Sequence, residues 1–202
     1  MYKVNEILII GNGCSVLNYS FGKEINKFIN VGRINNFSIN KYSKFIGTKT
    51  DIWFNGANQN LKKRQFIPNQ VIVLIPPEIL HIKKKTIHKR ISRRLNISED
   101  RYYLVPIDEM ENYENELGVK RLTTGTASIL WALENYDKVI IHGFDFFIDS
   151  KAHYNDNIIN KFFINIGINK KGQKHNLNEE KEYINNKIKE NKLIELKNYL
   201  KI

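Results

Sequence analysis

One cysteine, four prolines and two methionines in 202 residues leave the chain few covalent or rigid constraints. Cys14 alone forms no internal disulfide, which fits a reducing compartment. No apolar run approaches the roughly 20 residues of a membrane span. The apolar run at residues 7–10 is too short for a signal peptide and lacks a small-residue cleavage pattern. The expectation is a cytoplasmic protein, at most peripheral to an anionic membrane. Acid is also scarce: 21 Asp and Glu stand against 32 Lys and Arg, a net charge of +11. That excess points to an anionic neighbour, whether nucleotide, nucleic acid, or an acidic membrane or glycolipid surface. The abundant Asn, Ile and Lys also match A/T-rich coding, which discounts part of the signal.

What is present reads as an ordinary globular chain, and its length suits one domain over residues 1–202. Residues 6–10 form an unbroken apolar strand that feeds a small-residue turn, Gly11-Asn12-Gly13-Cys14-Ser15. A short helix is predicted over 22–28, and strands over 28–34, 51–55 and 70–75. Pro76-Pro77 stops the last of these. One helix is predicted over 79–95, a short strand over 102–106, and an acidic loop or short helix over 108–117. Thr123-Thr124-Gly125 opens a helix with an apolar face at Ala127, Leu130, Trp131 and Ala132. A buried strand over 138–142 ends in Gly143-Phe144-Asp145. A helix with acid in its first turn follows from residue 178, then a short strand over 194–196. The pattern predicts an α/β fold with a single Rossmann-like, mostly parallel sheet flanked by helices.

Polar groups at the carboxyl ends of such strands are where open α/β sheets bind ligands. Two stretches qualify, 11–35 and 121–154. In the first, small residues let backbone N–H groups approach an anion, and a ligand-free tight turn is an equally good reading. The third glycine of the dinucleotide fingerprint is missing, and no acid ends the second strand, so an NAD site is a poor reading. Asn35 and Asn36 sit at a strand end where plain turn residues are common. The basic residues between Lys83 and Arg94 read as a solvated helix face before a nucleic-acid or membrane patch. His81, His88 and His142 read as surface or satisfied core residues, Trp53 as core, and Cys14 as a small buried filler. Asp145 caps or orients its loop.

These stretches form an ordered set. Ile10-Gly11-Asn12-Gly13, Gly22-x-Glu24, Arg33-Ile34-Asn35 and Gly47-Thr48-Lys49-Thr50 together resemble the large sialylmotif of the family 29 sialyltransferases. Thr123-Thr124-Gly125 with Ile141-His142-Gly143-Phe144-Asp145 resembles the small motif. His153-Tyr154-Asn155-Asp156 is similar to the third, and His175 with Glu180 to the very small motif, His-x4-Glu. Family 42 sialyltransferases share Gly-Asn-Gly and the Gly-x-Asp after the buried strand, but lack the weight of His-x4-Glu. The animal enzymes tie the large and small motifs by a disulfide, and here Cys14 has no partner cysteine. Their N-terminal anchor and stem have no counterpart, and Asn155 precedes the acid of the third motif. A bacterial or viral cytosolic form is expected.

The resemblance implies a GT-A-like sialyltransferase sheet and an inverting transfer of sialic acid from CMP-sialic acid to a glycan or glycolipid acceptor. It assigns His175 as the base that takes the acceptor proton, a task suited to histidine's pKa. It places His153 on the leaving phosphate, with Tyr154 beside it, where a hydrogen bond stabilises developing charge. Asn12, Gly13, Asn35, Thr123, Thr124 and Gly125 match the donor contacts, and Glu180 and Asp145 act in support. CMP leaves with a single phosphate, so no metal or other cofactor is expected. Another CMP-linked acid sugar such as CMP-Kdo, or an inert nucleotide or glycan binder, are the alternatives. Nucleic-acid binding ranks last, since only net charge and the basic helix suggest it.

Overall fold

A computed structural model describes residues 5–145, 154 and 176–202. Seven strands form one sheet: β1 (Glu6–Ile10), β2 (Asn30–Ile34), β3 (Ile52–Asn55), β4 (Gln70–Val73), β5 (Tyr103–Leu104), β6 (Lys138–His142) and β7 (Leu193–Glu195). Their order is β5-β4-β3-β2-β1-β6-β7. Every pairing is parallel, so the sheet is wholly rather than mostly parallel. The apolar runs explain why: strands buried on both faces read as continuous Ile, Val and Leu rather than as an alternation. β1 and β6 fit that description, with four of five residues buried in each.

The helices are α1 (Gly22–Ile25), α2 (Ser43–Ile46), α3 (Pro77–Lys83), α4 (Ile87–Leu95), α5 (Ile107–Leu117), α6 (Thr124–Asn135), α7 (Leu177–Lys189) and α8 (Leu196–Tyr199). One sheet face, carrying Ile9, Ile52, Phe54 and Ile141, packs in a core with side chains of α5, α6 and α7. The helix α6 is buried all round from Thr126 to Ala132, as expected of a helix lying between a sheet and other helices. The opposite face divides into two apolar clusters. Leu8, Ile10, Val31 and Ile140 pack with α1, α2 and α8, whereas Trp53, Val71 and Val73 pack with α3 and α4.

One expectation changes, and one open alternative is decided. The helix predicted over 79–95 is two helices joined by a turn at 84–86. No Gly or Pro breaks it. Instead α3 is tied to α5 through His81 Nε2 and Glu111 Oε1, 2.9 Å apart. Meanwhile α4 sets Ile87, Ile91 and Leu95 into the Trp53 cluster. The break lets each helix follow its own partner. Of the loop or short helix predicted over 108–117, the structure forms the helix, 11 residues long. Pro106 stands at its N-cap, Asp108 and Glu109 fill the first turn, and Gly118 ends it in the left-handed region. Its buried stripe, Met110 and Tyr113, is narrow, so the charged face hides the period.

The core prediction concerns β6. Ile140 is fully buried in a strand bonded on both sides. Ile140→Ala should cost about 2–5 kcal/mol of stability, read as a lowered urea midpoint with an unchanged slope.

A candidate site at the carboxyl edge of the sheet

The chain passes from β1 outward through β5, then returns to β6 on the other side of β1. Loops leaving β1 and β6 therefore diverge to opposite sides of the sheet, and a crevice opens between them. The two loops touch at its floor. Gly11 N donates to His142 O at 2.7 Å and Gly13 N to Gly143 O at 2.9 Å. Both contacts need bare backbone. A Cβ on Gly13 would collide with the Asp145 carboxylate, and Gly143 has φ +76° with Val16 pressed against it. Asp145 accepts from the Ser15 backbone N–H at 3.0 Å and from the Ser15 hydroxyl. Asp145 thus orients the turn, as read from the sequence; its partner Ser15 was not singled out there.

Asn12 reaches sideways to β2, where Nδ2 donates to Ile34 O at 2.9 Å. Its carbonyl accepts the Tyr154 backbone N–H at 3.0 Å. Tyr154 is buried. Its hydroxyl donates to Ser38 O at 3.0 Å and accepts from Ser38 N at 3.1 Å. Burial raises its pKa, against the nearby Arg33 and Arg64 charges, which lower it. Asn35 takes the left-handed conformation, φ 46°, that Asn tolerates. Its Oδ1 accepts from Gly56 N at 3.1 Å and so fixes the loop after β3. Thr124 Oγ1 lies against Gly56, and Gly125 lies against Phe144 and Ile34. Loops from β1, β2, β3 and β6 and the start of α6 therefore meet in one place.

Thr123 is the N-cap of α6, its Oγ1 accepting from Thr126 N at 3.1 Å. The cap is held from outside by Glu180, in the first turn of α7 and fully buried. Glu180 Oε1 accepts from Thr123 N at 3.1 Å. Its Oε2 accepts from the Thr123 hydroxyl at 2.6 Å and from the Thr126 hydroxyl. Thr126, not singled out from the sequence, completes this cluster; a second threonine at the third position after the cap is the signal that marks it. His153, His175, Asn155 and Asp156 lie outside the described residues. Among the described residues no three His, Cys, Asp or Glu side chains converge as a metal-ligand set.

His142 sits at the end of β6, nine-tenths buried against Phe21. Burial pulls its pKa down to about 4, against the raising influence of Asp145 and the Val16 backbone. The imidazole is neutral at pH 7, consistent with a core histidine. A cavity of about 830 Å³ lies at the other edge of the sheet, lined by Asn5, Gln70, Tyr103 and Glu134. None of the site residues predicted from sequence lines it.

The model of glycosyltransferase family 29 (sialyltransferase) matches residues 2–192. A solved mammalian sialyltransferase in complex with Gal-beta-1-3GalNAc-ortho-nitrophenol is 17% identical, with a TM-score of 0.70 over 96% of this chain and 70% of that one. A second mammalian sialyltransferase structure matches with the same identity and TM-score, over 96% of this chain and 69% of the other. At that identity the likeness establishes the fold. No curated protein sequence matches the chain.

Two outcomes follow. Glu180→Ala strands one N–H and two hydroxyls and should cost about 3 kcal/mol in urea unfolding, with Glu180→Gln intermediate. For His142, the folded pKa lies below the unfolded one, so the unfolded chain binds more protons between about 4 and 6.5. This contribution is present above pH 6.5 and is lost as pH falls toward 4, by up to about 3 kcal/mol. A His142→Gln variant, compared with wild type from pH 7 to 4.5, should show a shallower decline.

Proposed function

The chain belongs to glycosyltransferase family 29, the sialyltransferases, and from that membership we propose an inverting transfer of sialic acid from CMP-sialic acid to a glycan hydroxyl. One observation carries the reading at this site. Residues that match the family's donor contacts, Asn12, Gly13, Asn35 and Thr123 to Gly125, meet at the crevice between β1 and β6. They arrive there from three separate segments of the chain.

Each has a task that suits a nucleotide sugar. Backbone N–H groups near the start of α6 favour a negatively charged group, and the Thr123 cap keeps that helix end in place. Asn12 and Asn35, held by Ile34 O and Gly56 N, are fixed rather than mobile, which lowers the entropy cost of holding a nucleoside. In this reading His175 takes the acceptor proton while His153, beside Tyr154, meets the oxygens of the departing phosphate. Glu180, five residues after His175, ties the first turn of α7 to the Thr123 cap, so base and donor turn share one anchor. CMP departs with one phosphate, so its negative charge can be met by hydrogen bonds without a metal ion.

The acceptor we favour is a surface lipo-oligosaccharide or capsule glycan, reached from the cytoplasm. No described helix is long and apolar enough to cross a membrane. The basic outer side of α3 and α4, with Lys83, Lys84, Lys85 and Lys89 exposed, suits peripheral contact with an anionic membrane.

The base assignment has a direct test. His175→Ala should lower acceptor-dependent CMP release roughly 10²–10⁴-fold while CMP binding by calorimetry is retained. Unimpaired turnover would rule His175 out as the base. CMP-Kdo competing as the better donor would replace the sugar in this reading while leaving the nucleotide.

A further inference from the structure

Arg33 is a charged side chain with no exposed surface, on the β2 position that separates the two apolar clusters of its sheet face. Its guanidinium is largely occupied with the chain after α2. Nη2 donates to Ile46 O at 2.6 Å and Gly47 O at 3.2 Å, and Nε to Lys49 O at 3.1 Å and Thr50 Oγ1 at 2.9 Å. Nη1 is buried and finds no acceptor among the described residues. Close by lies a second guanidinium, from a loop without regular structure. Arg64 stacks on Phe37, with its Cζ 3.4 Å from the ring centroid, and stands 5.3 Å from that of Trp53. Its Nη2 donates to Phe37 O at 2.9 Å, while its Nε is buried and finds no acceptor among the described residues.

No carboxylate among the described residues pairs with either group. Desolvation lowers both pKa values to about 10, and the Arg64 charge adds to the lowering at Arg33. Two like charges with N–H groups unsatisfied, and no counter-charge, among the described residues are costly unless a further partner completes them. Their location suits a donor. Tyr154, whose backbone N–H is bonded to Asn12 O, bonds Ser38 through its hydroxyl, next to the Phe37 that accepts from Arg64, and Arg33 is two residues before Asn35. Arg33 lies behind and is fully covered. Arg64 is only partly covered, held flat by Phe37, with its loop pinned to Asn36 through Lys62 N and Asn60 O.

We infer that Arg64, backed by the charge of Arg33, is an oxyanion-binding position for the phosphate or carboxylate of the donor. The inference rests on the CMP-sugar reading. A planar guanidinium stacked on an aromatic ring is suited to oxyanions, because its fork matches phosphate and carboxylate geometry. Nothing in the sequence signals Arg64, which is one basic residue in a polar loop and belongs to no motif.

Calorimetry on wild type and Arg64→Gln, with cytidine, CMP, CMP-sialic acid and inorganic phosphate, tests it. If phosphate is the partner, Arg64→Gln should weaken CMP about tenfold and leave cytidine within about twofold. If the sugar carboxylate is the partner, CMP is unchanged and CMP-sialic acid weakens about tenfold. Arg64→Lys should keep part of the affinity. Equal loss for cytidine and CMP would mean that Arg64 only packs its loop, and would overturn the inference, as would no change with any ligand. If wild type binds neither cytidine nor CMP, the donor reading fails separately. Inorganic phosphate then decides: binding lost in Arg64→Gln keeps the anion position, and absence of binding removes it.

Discussion

Everything at the candidate site depends on the place of β1 in the sheet. It is bonded in parallel to β2 on one side and β6 on the other. Its outgoing loop and that of β6 must therefore leave toward opposite faces, and a crevice is the unavoidable result. The backbone bonds from Gly11 and Gly13 to His142 and Gly143 close its floor, and Asp145 holds Ser15 across it. Side chains larger than hydrogen at Gly13 would push these loops apart.

Buried charge plays a second part, as internal wiring. Glu180 accepts from the N-cap of α6, and Arg33 donates to the last carbonyls around α2. Each satisfies groups that a helix end leaves without partners, and each complements the local helix dipole. Both couple distant parts of the chain near the site. In Glu180 the coupling spans 57 residues, between a turn and the helix that follows residues 146–153 and 155–175. Charge is thereby spent on geometry, while the surface keeps its basic excess.

The chain shares its fold with a sialyltransferase structure at 17% identity, so the fold survives change at most positions. The described residues that resemble the family's motifs, such as Asn12, Gly13, Asn35 and Thr123, lie in turns and at a helix start, where backbone geometry and hydrogen bonding restrict the side chain. The core around them needs only apolar volume in the right order.

The sequence by itself determined the strands at 6–10 and 138–142, the turn at Thr123 and the placement of polar residues at strand ends. Those features are local. An unbroken Ile-rich run, a small-residue turn and a Thr cap announce themselves within a few positions. Tertiary structure alone decided the rest. The split of the helix over 79–95 came from two packing partners, not from a breaker residue. The choice between loop and helix over 108–117 fell to α5, because an apolar stripe only Met110 and Tyr113 wide leaves the local period ambiguous. Thr126 and Ser15 entered the site because Glu180 and Asp145 reach them across 54 and 130 residues. Arg64 drew its setting from Phe37, Trp53 and Tyr154. Local pattern records period and turn chemistry, but a partner that far along the chain is chosen only when the sheet closes around β1.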